Sequence, residues 1–179
     1  DEVWLNKKIS PVIIAAGMLE PWKGFRDLIF AFKKLLKLTE AKLIILGDGS
    51  LRNELEKLLI DLKLNEHVKM KGYVKNPLKY FSRADVFALP SYVEGMPNVL
   101  IEAMMAGCTP VSTSCETGPK EILSGGKYGY LVPIKNPQAL CDGLLKAINN
   151  PISKNILSEA VKPFQEDIVI KKHFKHLGI

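Results

Sequence analysis

Two hydrophobic rhythms alternate along this chain. Short unbroken apolar runs, such as PVIIAAG and AKLIILG, each precede a longer stretch with apolar residues every three or four positions. The first kind reads as strands buried on both faces. The second reads as amphipathic helices. PVIIAAG, ending at Gly17, is the first strand, and GFRDLIFAFKKLLKL the first helix, with Phe25, Leu28, Ile29, Phe32, Leu35 and Leu36 inward. AKLIILG is the second strand. SLRNELEKLLIDL follows as a helix with Ser50 as its N-cap and Leu51, Leu55, Leu58, Leu59 and Leu62 inward. HVKMKGYV is a third strand, followed by a short helix in PLKYFSR. The pattern then repeats: strand ADVFALP, helix NVLIEAMMAG closed by Gly107, strand TPVSTS, short helix PKEILSG and strand YGYLVP. PQALCDGLLKAINN and the region from Ile152 onward are helical, with an interruption at Pro163.

Alternation of this kind belongs to an α/β fold. Six apolar strands in two groups of three predict a doubly wound, Rossmann-like parallel sheet in the order 3-2-1-4-5-6, with helices on both faces. Residues 1–10 read as an interdomain linker and residues 11–179 as the domain. In that strand order the first and fourth strands are neighbours. The loops after them, GMLEPWKG and SYVEGMPN, therefore open into one crevice at the carboxyl edge of the sheet.

Composition narrows the partners. Hydrophobic residues make up 47% of the 179 residues, yet no stretch is long enough to span a bilayer. Lys and Arg number 25 against 19 acids, a net charge of +6. Solubility accounts for most of that excess, and an anionic partner is the sharper reading. Nucleic acid ranks last, because no basic block is interleaved with aromatics. The tail KKHFKHL suits a solvated helix face better than an anionic membrane. Three cysteines, Cys108, Cys115 and Cys141, form no C-x-x-C pair and fit a reducing, cytoplasmic compartment. His173 and His176 lie one helical turn apart, a spacing that exposed helix polarity explains better than a metal site.

The candidate chemistry sits in the two facing loops. Lys23 stands just before the first long helix, where a cation opposes the helix dipole, so an anion in the crevice would give it a reason to be there. An ordinary exposed lysine is the equal alternative. Pro97 is a suitable first helical residue. The N–H groups of Asn98, Val99 and Leu100 beyond it would then face the crevice as an anion site, and Gly95 lets backbone approach a ligand. Glu94 and Glu102 would repel a diphosphate but can accept hydrogen bonds from hydroxyls. The plain alternatives are a carboxylate stabilised by a helix end for Glu94 and a solvated helix face for Glu102. GDGSLR starts like a dinucleotide fingerprint but lacks the third glycine and follows the wrong strand, so it reads as a turn.

These pieces together resemble the C-terminal, donor-binding half of retaining family-4 glycosyltransferases of the GT-B fold. AAGMLEPWKGFRDLIFAF, LIILGDGSLRNELE, ADVFALPSYVEGMPNVLIEAMMAG and GPKEILSGGKYGYLVP carry the likeness in order, from about Pro11 to Pro133. Glu94 and Glu102 match the family's E-x7-E motif. The resemblance implies transfer of a sugar, with retention, from a nucleotide diphosphate sugar, most commonly a UDP-sugar, to a glycan or lipid-linked acceptor, with no metal or other cofactor. It also implies roles: Glu102 on the ribose, Glu94 on the transferred sugar, and Lys23 on the diphosphate. The backbone of Gly95, Met96, Pro97, Asn98 and Val99 would touch sugar and phosphate, Tyr73 and Val74 would lie near the base, and Gly17 would allow close approach. Family members often carry Arg just after that glycine, where this chain has Met18.

The family's N-terminal, acceptor-binding domain has no counterpart in this sequence. A donor-binding domain without it should bind nucleotide and barely transfer sugar. Other readings are a nucleotide-sugar epimerase, a phosphorylase of similar two-domain shape and a non-catalytic nucleotide-sugar binding module. An oxidoreductase is disfavoured by the missing fingerprint.

Overall fold

The computed structural model describes Trp4, Leu5 and residues 10–164. The basic tail with His173 and His176 lies outside the described residues. The sheet has six strands: β1 Val12–Ala16, β2 Lys42–Leu46, β3 Val68–Gly72, β4 Val86–Leu89, β5 Thr109–Thr113 and β6 Tyr130–Val132. All pairings are parallel, and the spatial order is β3-β2-β1-β4-β5-β6, as the hydrophobic pattern predicts. The helices between them are α1 Phe25–Leu35, α2 Arg52–Asp61, α3 Leu78–Phe81, α4 Asn98–Met105, α5 Pro119–Ile122, α6 Pro137–Asn149 and α7 Lys154–Val161. A 3-10 turn, Lys162–Phe164, follows α7 and contains Pro163.

Period-two alternation sends each strand's side chains to two separate cores. Ile13, Ala15, Leu43, Ile45, Val86 and Ala88 face one side and pack with Leu28, Phe32, Leu55 and Leu144 of α1, α2 and α6. Val12, Ile14, Ile44, Leu46, Phe87 and Leu89 face the other and meet Phe81, Leu100, Met104, Ile122 and Leu157 of α3, α4, α5 and α7. Leu5 is buried against this second core, and Trp4 lies under the Lys42 and Lys69 ammonium groups.

Three local expectations change. Ser50 does not cap α2. The cap position is Leu51, with no side-chain hydrogen bond, because the Ser50 hydroxyl is drawn to Glu20 instead, at 2.7 Å. In the same helix only Leu55 and Leu59 are buried, while Leu51, Leu58 and Leu62 pack at its margin. Pro97 is the N-cap of α4, not its first helical residue, with extended φ/ψ of −75° and 90°. The close of α4 follows expectation. Gly107 has φ 92°, its N–H donates to Met104 and that of Cys108 to Ala103, each at 3.0 Å. This double bond pattern satisfies the last carbonyls of the helix.

Candidate functional site at the carboxyl edge

The loop after β1 is built as a tight turn strapped to its neighbours. Residues Pro21–Lys23 form a 3-10 turn, and Gly24 then adopts a left-handed φ of 67°. On one side the loop is tied to the turn after β2. The Leu19 N–H donates to the Asp48 carbonyl, and the Leu51 N–H to the Leu19 carbonyl, both at 2.9 Å. Glu20 accepts from both the Ser50 hydroxyl and the Ser50 N–H. The Ser50 hydroxyl, with help from that N–H, holds the exposed Glu20 carboxyl below its usual range. On the other side the loop is tied to the loop after β4. The Tyr92 N–H donates to the Trp22 carbonyl at 2.7 Å, and the Tyr92 hydroxyl donates to Asp27 Oδ2 at 2.8 Å.

Across this junction Lys23 Nζ donates to Glu94 Oε1 at 2.7 Å, both side chains being largely shielded from solvent. The two loops that the sequence placed face to face thus meet through the two residues chosen from them. The Ser91 hydroxyl donates to the same carboxylate oxygen at 2.6 Å. A third loop joins from β5. The Thr117 hydroxyl donates to the Glu94 carbonyl at 2.7 Å, and a Cβ at Gly118 would fall 1.9 Å from the Gly95 carbonyl oxygen.

A pocket of about 310 Å³ lies at the carboxyl ends of β1 and β2, lined by Ala16, Gly17, Met18, Leu46, Gly47, Asp48, Tyr73, Val74, Pro77 and Val99 and not by Lys23, Glu94 or Glu102. Four of the predicted site residues beyond the loops' charged pair, Gly17, Met18, Tyr73 and Val74, therefore share one cavity with Val99 at the start of α4. Met18 and Tyr73 are 59% and 81% exposed, so both offer apolar surface to an incoming ring. Glu102 is half-buried and stands one turn beyond Val99 on the same face of α4. Among the described residues nothing donates a hydrogen bond to its carboxylate, which leaves it able to accept from a ligand hydroxyl.

Of the α4 N–H groups, Leu100 is not available: it donates to the Pro97 carbonyl at 2.9 Å. The Asn98 and Val99 N–H groups have no such backbone partner among the described residues. Gly95 has nothing within 4 Å of where a Cβ would stand, and Met96 is exposed. Gly95 thus needs no glycine for packing inside the chain.

Sequence reasoning missed Ser91, Asp48, Thr117 and Gly118. The S-x-x-E spacing of Ser91 and Glu94 was a usable signal, since a short polar residue at the end of a buried strand needs a partner. Gly47 and Asp48, read only as part of a turn, are also a wall of the pocket.

The family model described as Glycosyl transferases group 1 matches residues 1–163. The chain belongs to that family. Its resemblance to the family-4 GT-B enzymes stands with it. The N-acetylgalactosamine-N,N'-diacetylbacillosaminyl-diphospho-undecaprenol 4-alpha-N-acetylgalactosaminyltransferase of Campylobacter jejuni is 32% identical over 169 residues, covering 92% of this chain and 46% of that protein. An uncharacterized glycosyltransferase of Methanocaldococcus jannaschii is 44% identical over 138 residues, covering 69% of this chain and 34% of that protein. Among solved structures, a mutant of S. aureus TarM in complex with fondaparinux, alpha-GlcNAc-glycerol and UDP aligns with a TM-score of 0.78 at 26% identity, over 84% of this chain and 31% of that one. The chain thus spans less than half the length of these relatives.

Proposed function

We propose that this chain is the donor-binding domain of a retaining glycosyltransferase. It takes a nucleotide diphosphate sugar, UDP-linked, whose sugar passes to a glycan or lipid-linked acceptor held by a second domain. The observation that carries this reading is the Lys23–Glu94 contact at 2.7 Å, made across the two loops of the switch point. A pocket of ring-binding size shares Gly17 and Met18 of the first loop and Val99 of α4. In the proposed complex the base lies against Tyr73 and Val74, and the ribose hydroxyls donate to Glu102. The diphosphate sits between Lys23 and the Asn98 and Val99 N–H groups. These positive groups stabilise the charge that grows on the departing diphosphate. Glu94 accepts from hydroxyls of the transferred sugar, and the open side of Gly95 admits that sugar close to backbone. Met18 lines the pocket at the position where the family resemblance leads to an expected arginine, so Lys23 and the helix end do that work here.

The TarM complex, which contains UDP, supports the nucleotide assignment. The name of the Campylobacter relative, with its diphospho-undecaprenol, supports a lipid-linked acceptor. No helix among the described residues is long and apolar enough to cross a membrane. A cytoplasmic protein that meets such an acceptor at the membrane face is the setting proposed.

A thermal-shift panel of UDP, GDP and ADP tests this. UDP at one hundred times its dissociation constant should add about 2.7 kcal/mol of stability. The absence of any shift at millimolar nucleotide would overturn the reading. The isolated chain should transfer almost no sugar, because half of the reacting geometry lies in the second domain. Substantial turnover by the chain alone would refute that part.

A further inference from the structure

We infer that Ser91 is a positioning residue that fixes the Glu94 carboxylate so that one oxygen, Oε2, is kept for the sugar of the donor. The inference rests on the donor-binding reading above. Ser91 is 1% exposed, one of few buried polar residues in the described chain, and stands one residue, Pro90, beyond the apolar end of β4. Its hydroxyl donates to Glu94 Oε1 at 2.6 Å. Ser91 is itself immobilised from β5. Its carbonyl accepts from the Thr113 hydroxyl and from Cys115 Sγ at 3.2 Å. Glu94 is pinned at the backbone as well, through the Thr117 hydroxyl.

Oε1 therefore holds two donors, Ser91 Oγ and Lys23 Nζ. Among the described residues no group donates to Oε2. No buried side-chain oxygen among those residues lacks a partner, so Oε2 keeps some contact with solvent although the Glu94 side chain as a whole is only 9% exposed. A carboxylate oxygen without a donor can accept from a hydroxyl. The two donors on Oε1 differ in what a ligand does to them. A diphosphate draws the flexible Lys23 ammonium toward itself. Ser91, buried and held from β5, stays. Once the donor is bound, Ser91 is the fixed group that keeps Glu94 from swinging, and it removes the ordering cost from the binding step.

The readout is the ratio of the affinity for a UDP-sugar to the affinity for UDP, measured by calorimetry on this chain. The probes are UDP, UDP-glucose, UDP-galactose and UDP-N-acetylglucosamine. Ser91→Ala should lower the affinity for the preferred UDP-sugar about ten-fold while changing that for UDP by less than about two-fold. In a Glu94→Ala background, Ser91→Ala should leave the ratio unchanged, since its partner is gone. A loss of UDP and UDP-sugar affinity in equal proportion would mean a structural role only and overturn the assignment. So would an undiminished effect of Ser91→Ala in the Glu94→Ala background, or a wild-type ratio that Glu94→Ala does not move. If the wild-type chain binds neither UDP nor any of the UDP-sugars, the donor-binding reading fails first and takes this assignment with it.

Discussion

Gly24 and Gly125 share a left-handed φ of 67° but differ in surroundings. A Cβ at Gly24 would stand 2.0 Å from the Pro90 carbonyl oxygen, whereas one at Gly125 would meet nothing within 4 Å. Gly125→Ala should therefore cost only the backbone penalty, about 1 kcal/mol. Gly24→Ala adds a clash that forces apart the loops after β1 and β4, and should cost about 3 kcal/mol or more. Urea denaturation of the two variants checks this; equal losses would mean that the loops are free to separate. The comparison also marks what single residues disclosed in advance. The meeting of Lys23 with Glu94 was legible because each carries charge in a loop that the strand order turns toward the other. Gly24 was not, because the atom that demands it lies 66 positions away in Pro90, and no local pattern carries that contact. Ser50 misled for the same reason: its hydroxyl suits a helix cap, but Glu20, 30 residues earlier, takes it.

At the scale of elements, the periodicities of two and 3.6 made the strand order and both cores legible, since the central strands β1, β2 and β4 are almost wholly apolar, the edge strand β3 alternates, and each long helix has one apolar stripe. Boundaries were less legible. The start of α4 depends on the backbone angles of Pro97, which the loops around it impose. How the loops are tied was not visible at all, and the Tyr92–Asp27 bond joins the β4 loop to α1 over 65 positions. Burial, then the hydrogen bond and charge of Asp27, push the Tyr92 hydroxyl from 10.0 up to about 12. Above its ordinary value the unfolded chain releases this proton while the native chain keeps it. Unfolding is then favoured, and the contribution of Tyr92 to stability declines as pH rises from 10.0 to about 12. Tyr92→Phe should be less stable than wild type by about 1 kcal/mol at neutral pH. The gap should close across that alkaline window. Denaturant midpoints of both proteins over the range measure it, and a gap that stays constant would show that the hydroxyl does not keep its proton in the folded state.

At the scale of the whole molecule, the sheet separates two cores, and the proposed site needs both. Lys23 precedes α1, which packs on one face, while Glu102 lies in α4 on the other. A ligand at the carboxyl edge can be held firmly only if the two layers stay docked as one unit. The cysteines report on this directly. Cys141 is buried in the first core and Cys108 in the second. Burial raises both thiols, that of Cys108 to about 12, so neither is a ready nucleophile at neutral pH. In the native protein both should resist iodoacetamide. As urea is added, both should become reactive at the same concentration at which circular dichroism is lost, because neither core survives without the shared sheet. Labelling of one cysteine well below that midpoint would mean that its layer opens on its own. UDP should move the two labelling midpoints upward together, since a ligand clamped between the loops of β1 and β4 stabilises whatever unfolds as a unit. If UDP shifted the Cys108 midpoint alone, binding would depend on α4 without the β1 loop, and the meeting of the two loops would not be what holds the nucleotide.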